Sequence, residues 1–129
     1  MYTVYAIRCK INGKIYIGCT SDFSDRVKQH FSDLRHQQKT YRIPGKDERG
    51  PTDWQKDYNQ YGVDAFESYV IETDIPADKR KRAEFEWINE YKSNDSRYGY
   101  NIKPVMSLYS NINLVPGLPP KPWETDPTE

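Results

Sequence analysis

The sequence predicts a small α+β domain in which helices flank a mainly antiparallel three-stranded sheet. This prediction rests on an Asn-Gly turn between two β-rich runs and on three segments with helical apolar periodicity. One further β-rich run precedes the third of these segments. The 129 residues suffice for one domain with a tail. We assign the domain to residues 1–104 and a proline-rich tail or linker to residues 105–129.

The composition excludes several classes of protein. Two cysteines are too few for a disulfide scaffold, and no run is long and apolar enough to span a membrane. We therefore expect a cytoplasmic protein that does not bind membranes. The formal net charge is zero, but residues 1–50 carry ten Lys and Arg against five Asp and Glu. This half could meet a phosphate backbone, although the same excess also occurs on ordinary surfaces.

A β-hairpin is predicted over residues 2–19, with Asn12-Gly13 as its two-residue turn. Such a turn pairs residues whose numbers sum to 25. One predicted face holds Tyr5, Ile7, Cys9, Tyr16 and Gly18, and the other holds Val4, Ala6, Ile15, Ile17 and Cys19. Cys9 and Cys19 thus face apart and should not form a disulfide. In this register the two tyrosines lie four residues apart, roughly 13 Å along the strand.

The first helix is predicted over residues 23–36, with Asp22 as its N-cap. Its apolar stripe consists of Phe23, Val27, Phe31 and Leu34. Arg26 and His30, four residues apart, lie along one edge of that stripe, so we expect each to be partly buried.

A loop is predicted over residues 37–51, which contain two Gly, two Pro and charges of both signs. A second helix follows at 53–61, between Thr52 as cap and Gly62 as stop. It should pack Trp54, Tyr58 and Tyr61 into the core rather than present them for stacking on bases.

The predicted third strand, about 65–73, is followed by a third helix at about 77–92. The apolar stripe of this helix is Ala77, Trp87, Ile88 and Tyr91. Glu84 lies in the middle of the stripe, where an unpaired carboxylate costs several kcal/mol, so it has either a functional role or a salt bridge. Asn101 follows a turn that contains Gly99.

These polar residues, in this order, resemble the signature of the GIY-YIG endonuclease superfamily. The second motif is complete as Tyr16-Ile17-Gly18, and the first is altered to Thr3-Val4-Tyr5, with Thr3 in place of a glycine. The other matching positions are Arg26, His30, Glu84 and Asn101. The similarity covers about residues 2–103 and implies the GIY-YIG nuclease fold.

The resemblance implies a metal-dependent endonuclease that hydrolyses phosphodiester bonds in DNA, with one Mg²⁺ or Mn²⁺ ion held by Glu84. Arg26 would bind the scissile phosphate through its planar guanidinium. Tyr5 would act as general base or position the attacking water, with His30 accepting its proton, because a free phenol is a poor base at neutral pH. Tyr16 would hydrogen-bond to the phosphate or the water.

Supporting roles are implied for Lys14, Gly18 and Asn101. Lys14 would contact phosphate or depress the pKa of a tyrosine, Gly18 would give the backbone room to approach, and Asn101 would hold the geometry of the site. Separately, the basic side chains of the 37–51 loop are candidates to bind nucleic acid, although an ordinary solvated loop explains them equally well. They are Lys39, Arg42, Lys46 and Arg49.

A second hypothesis retains the fold without catalysis, as a module that binds nucleic acid or a protein partner. The neutral net charge and Thr3 favour it, whereas retention of all six polar positions favours the nuclease. Single- and double-stranded DNA both remain open as substrates. A homodimer, or a protein partner bound through the tail, also remains open.

Overall fold

The structure is a computed structural model that describes residues 1–102 and 116–124. Its strands are β1 (Tyr2–Cys9), β2 (Ile15–Thr20), β3 (Thr40–Arg42), β4 (Arg49–Pro51) and β5 (Phe66–Ile75), and its helices are α1 (Phe23–Arg35), α2 (Asp53–Tyr61) and α3 (Arg80–Tyr91). In this part of the chain β2, β1 and β5 form a sheet in that order, with both pairs antiparallel. The predicted α+β fold with a three-stranded antiparallel sheet is confirmed.

The register of the first hairpin differs from the prediction. Tyr5 pairs with Gly18, so paired residue numbers sum to 23 rather than 25. The Cys9 amide donates to the Lys14 carbonyl at 2.9 Å, which closes a loop of four residues instead of a two-residue turn. A shift of two residues leaves every side chain on its predicted face. It also brings Tyr16 two residues from Tyr5 along the strands, not four.

The sheet has an apolar core on each face. One face packs against α3 through Val4, Ala6, Ile15, Ile17, Ile71, Ile75, Ala83, Trp87, Ile88 and Tyr91. The other packs against α1 and α2 through Tyr5, Ile7, Cys9, Leu34, Trp54, Ala65, Phe66 and Tyr100. Cys9 and Cys19 are both free thiols on opposite faces, as predicted.

The caps of α1 and α2 follow the predictions. The Asp22 carboxylate accepts from the Asp25 amide at 3.0 Å, and α1 ends one residue before the predicted boundary. The Thr52 hydroxyl accepts from the Gln55 amide at 3.3 Å at the start of α2. Gly62 ends that helix with φ of +82°, a backbone conformation that favours glycine.

Two local predictions were wrong. The 37–51 segment contains a small hairpin, because β3 pairs with β4 and the Arg49 guanidinium bonds to the hydroxyl and carbonyl of Thr40. Strands of three residues are too short to show alternation. The third helix begins at Arg80, since residues 77–79 form a 3₁₀ turn that leaves Ala77 exposed. Ala83 occupies the buried position instead.

The described part of the tail packs against the end of α3. The Tyr91 hydroxyl donates to the Pro119 carbonyl at 2.6 Å, and Lys121 forms an ion pair with Glu90 at 3.2 Å. The division of the chain at residue 104 stays a prediction, since residues 103–115 and 125–129 lie outside the described residues. No helix within the described ranges has the length and apolarity needed to cross a membrane.

Candidate active site

The two strand tyrosines converge on one face of the sheet. Tyr5 is almost fully buried and Tyr16 is half-buried, and their ring centroids lie 6.3 Å apart. Gly18, the cross-strand neighbour of Tyr5, makes room for this arrangement. A Cβ atom at Gly18 would lie 2.5 Å from the Tyr5 hydroxyl oxygen, so a larger residue could not be accommodated without displacement. The strand pairing therefore fixes the place of the Tyr5 hydroxyl.

His30 is held between two polar atoms in the interior. The sequence predicted a partly buried side chain, but His30 is fully buried, because α1 turns this edge toward Tyr5, Tyr16 and Trp54. Its Nε2 lies 2.6 Å from the Tyr5 hydroxyl oxygen. Burial, with the positive charges of Lys39 and Arg26, lowers the pKa of His30 to about 3. The imidazole is therefore neutral at physiological pH.

Lys39 reaches into the site from the segment after α1. Its Nζ lies 2.8 Å from His30 Nδ1 and 3.7 Å from the Asp33 carboxylate. Burial lowers the pKa of Lys39, whereas the Asp33 carboxylate opposes that shift. Lys39 was predicted as a contact to nucleic acid, and its link to His30 was not foreseen. No sequence signal could have shown it, because the link depends on how the chain turns after α1.

An aromatic wall closes one side of the site. The Trp54 ring stacks on Tyr16 with centroids 4.6 Å apart, and Tyr100 stacks on Trp54 at 5.6 Å. Trp54 is buried, as predicted, but the sequence did not show that it supports Tyr16. A groove of about 310 Å³ opens beside this wall, lined also by Lys39 and Asn101.

Arg26 and Glu84 act on the Tyr5 hydroxyl from opposite elements. Burial raises the pKa of Tyr5, and the nearby Tyr16 and the Glu84 carboxylate raise it further. Arg26 opposes that rise through its charge and a hydrogen bond to the tyrosine. Arg26 comes from α1 and Glu84 from α3, and both are half-buried. The charges of an arginine and a carboxylate thus act on one phenol in opposite directions.

Asn101 connects the segment after α3 to β2 through its side-chain amide. Its Oδ1 accepts from the Ile17 amide at 2.9 Å, and its Nδ2 donates to the Ile17 carbonyl at 2.8 Å. Ile17 lies between Tyr16 and Gly18, so this pair of bonds holds the backbone that carries both. Because Asn101 is buried, its two hydrogen bonds are stronger than they would be in water, and the position of β2 depends on them.

The remaining predicted residues lie outside this cluster. Lys14 is half-exposed, just before β2. The side chains of Arg42, Lys46 and Arg49 are exposed on the hairpin formed by β3 and β4 and the loop between them. Arg42 forms a weak surface ion pair with Asp47 at 3.7 Å. The structure therefore separates Lys39 from the other three basic residues of its segment.

The buried, neutral His30 predicts an acid-sensitive fold. The unfolded chain binds a proton at His30 near pH 6.5, whereas the folded protein does not until about pH 3, so acidification through this interval favours unfolding. We expect His30 to account for a loss of about 2 kcal/mol between pH 7 and pH 5. Urea unfolding at both pH values measures it. The fall in the free energy of unfolding between these pH values should be smaller by this amount in His30→Gln and unchanged in His36→Gln. An equal fall in both variants would contradict the assignment of the loss to His30.

The donor chemistry fits a hard divalent cation. Within the described ranges, no group of three or more His, Cys, Asp or Glu side chains could hold a metal ion. Such a set is needed for tightly bound zinc, but Mg²⁺ keeps several waters and takes one or two carboxylates. Glu84, which is half-buried and whose charge acts on the Tyr5 hydroxyl, provides one carboxylate of this kind.

This fold and constellation of side chains define the class of the protein. The GIY-YIG catalytic domain family matches residues 1–101, and the chain belongs to that family. The resemblance drawn from the motifs is confirmed.

Particular relatives agree with this placement. The chain is 34% identical over 101 residues to Intron-associated endonuclease 1 of Enterobacteria phage T4, covering 77% of the chain and 36% of that protein. It therefore spans about a third of that relative. The structure is similar to a mutant catalytic domain of the intron endonuclease I-TevI, with a TM-score of 0.62, 28% identity, and coverage of 80% of this chain and 95% of that one. A second structure of that domain gives a TM-score of 0.61 with 28% identity, and the match covers 81% of this chain and 100% of that one.

Proposed function

We propose that this chain is a metal-dependent endonuclease that hydrolyses phosphodiester bonds in DNA. Membership of the GIY-YIG family and similarity to intron endonucleases support it. The observation that carries the proposal is the cluster of Tyr5, Tyr16 and His30 on one face of the sheet, where the charges of Arg26 and Glu84 both act on the Tyr5 hydroxyl. A phosphate bound there would have a cationic donor on one side and a carboxylate for a cation on the other, which matches the needs of phosphoryl chemistry.

Arg26 is the proposed anchor of the scissile phosphate. A guanidinium is permanently charged and matches two phosphate oxygens at once, which a lysine ammonium cannot do. Its position on α1 is half-buried beside Tyr5, so that part of its charge is shielded from water. A guanidinium that is partly shielded from water binds a phosphate more strongly than a fully solvated one does.

Tyr5 and Tyr16 are the proposed contacts to the attacking water and the phosphate. Two roles were predicted for Tyr5, general base and positioning of the water. Burial raises its pKa, so the hydroxyl is protonated in the free protein, which supports the positioning role. Tyr16, half-buried at the groove, remains a candidate to donate to a phosphate oxygen.

Glu84 is the residue that would hold Mg²⁺ or Mn²⁺. When bound, such an ion neutralises charge that develops on the leaving oxygen during hydrolysis. Gly18 and Asn101 support the site by making space for Tyr5 and by holding β2. The exposed basic residues Arg42, Lys46 and Arg49 are proposed to contact the DNA backbone beyond the cleavage point.

The alternative is a GIY-YIG module that binds nucleic acid or a protein without cutting. Zero net charge and Thr3 in the altered first motif favour it. Thr3 pairs with Thr20 in an unbroken β1–β2 register, whereas the β1–β5 register shifts on both sides of Val4. The continuous pairing with β2, the strand that carries Tyr16 and Gly18, supports the nuclease over the module.

The proposal is tested by cleavage of supercoiled plasmid and of a labelled single strand, with Mg²⁺, Mn²⁺ or EDTA. We expect metal-dependent cutting, and the preferred substrate reports on strandedness. Arg26→Ala should lower the rate by about 10²–10³-fold, the usual cost of removing one donor to a developing anion.

Lys28→Ala is the matched control, because Lys28 is an exposed cation on the same helix. It should cut at close to the wild-type rate. Full activity of Arg26→Ala would contradict the role of Arg26. Binding of either DNA without cutting by the folded protein would favour the module instead.

A further inference from the structure

The His30 ring contacts a different partner through each nitrogen. Nε2 lies 2.6 Å from the Tyr5 hydroxyl oxygen, and Nδ1 lies 2.8 Å from Lys39 Nζ. The ring is fully buried, so water does not compete for either nitrogen. The protonation pattern of the ring must therefore satisfy these two partners together.

The chemistry of Lys39 decides between the two neutral tautomers. An ammonium has three donors and no acceptor, so His30 Nδ1 must accept from Lys39 and cannot carry a proton. The Asp33 carboxylate, 3.7 Å from Lys39 Nζ, favours the charged ammonium at this half-buried place. The proton of the neutral imidazole then resides on Nε2, which donates to the Tyr5 oxygen.

We propose that Lys39 is a positioning residue that holds His30 as the Nε2–H tautomer, so that His30 donates a hydrogen bond to the Tyr5 oxygen. The direction of this bond is opposite to the expectation that His30 accepts the tyrosine proton. The Tyr5 hydroxyl keeps its own hydrogen for another acceptor, such as the attacking water or a phosphate oxygen. The consequence for catalysis rests on the proposed nuclease function, whereas the tautomer itself does not.

The tautomer can be observed in the free protein by long-range ¹H–¹⁵N correlation of the histidine rings at pH 8. The chain has two histidines, and His36 serves as an internal reference. His36 Nδ1 lies 2.8 Å from the Ser32 carbonyl oxygen, which can only accept, so the neutral ring of His36 should be the Nδ1–H form. We expect the opposite form, Nε2–H, for His30. A protonated Nδ1 on His30 would overturn the proposal.

Two variants show whether Lys39 sets the tautomer. Lys39→Glu replaces a donor with an acceptor and should convert His30 to the Nδ1–H form, whereas Lys39→Arg retains a cationic donor and should preserve Nε2–H. An unchanged Nε2–H tautomer in folded Lys39→Glu would overturn the role of Lys39. If Lys39→Glu does not fold, a protonated Nδ1 on His30 in the wild type or in Lys39→Arg still overturns the proposal.

Kinetics separates positioning from direct contact with DNA. We expect Lys39→Glu to lower kcat about tenfold or more with little change in the salt dependence of KM. Lys39→Arg should restore part of the lost kcat. Lys46→Glu, which changes an exposed lysine of the same segment, should instead raise KM and reduce the salt dependence. The Lys46 pattern in Lys39→Glu would overturn the positioning role. A chain that does not cut DNA but shows the expected tautomers would refute the nuclease and leave the Lys39–His30 assignment intact.

Discussion

Replacement of Glu84 with alanine is expected to abolish metal-dependent cleavage while the domain stays folded. Glu84 is the proposed carboxylate for the cation, so its loss should reduce cutting by about 10²–10³-fold or more. Alanine is the best helix former, and the position is half-buried within α3, so α3 should form as before. The effect should therefore appear in activity and not in the unfolding temperature.

Glu86→Ala is the matched control for this variant. Glu86 lies on the same helix and pairs with Arg82 at 3.0 Å. It should retain cleavage. Thermal unfolding with millimolar Mg²⁺ or Mn²⁺ adds a test without DNA, because a ligand that binds the folded protein raises its unfolding temperature. Wild type and Glu86→Ala should be stabilised and Glu84→Ala should not; full cutting by Glu84→Ala would contradict the role of Glu84.

The elements that the sequence predicted best are those whose ends are decided locally. Asp22 and Thr52 each bond to an amide three residues ahead, and Gly62 adopts a positive φ that ends its helix. These interactions involve neighbours in the chain, so the residue types alone predict them. The boundaries of α1 and α2 accordingly fall within one residue of the prediction.

The hairpin shows what local signals cannot decide. Asn12-Gly13 correctly marked a turn, but the Cys9–Lys14 closure made it two residues longer than this dipeptide usually implies. Pairing with β5 also acts on β1, and its register shifts beside Tyr5. The faces were predicted because side chains alternate with a period of two, whereas the spacing of the tyrosines depends on the register.

Lys39 and Trp54 show a second limit. Their residue types indicated a solvated cation and a core aromatic, which are the ordinary roles of such side chains. Their contacts with His30 and Tyr16 depend on the path of the chain between α1 and α2, where the short β3–β4 hairpin was not predicted. The motifs predicted the candidate site residues, but the contacts of its histidine required the tertiary structure.

Gly18→Ala is expected to cause the largest combined loss of stability and activity. The added Cβ would lie 2.5 Å from the Tyr5 hydroxyl oxygen and 2.6 Å from its Cζ, closer than non-bonded atoms approach. Tyr5 is buried on the central strand and cannot swing into solvent. We expect overpacking to cost about 1–3 kcal/mol in the free energy of unfolding. A displacement of the hydroxyl by about 1 Å should reduce cleavage by about 10²-fold.

Urea unfolding and plasmid cleavage measure the two effects, with Gly50→Ala as the matched strand glycine. A Cβ at Gly50 would meet the Tyr41 ring at 3.3 Å, and Tyr41 is exposed and can move aside. Gly50→Ala should therefore change both quantities little. If Gly18→Ala loses stability but cuts normally, the exact place of the Tyr5 hydroxyl does not matter to the reaction. That result would assign Tyr5 to the core and leave Arg26 and Glu84 to act without it.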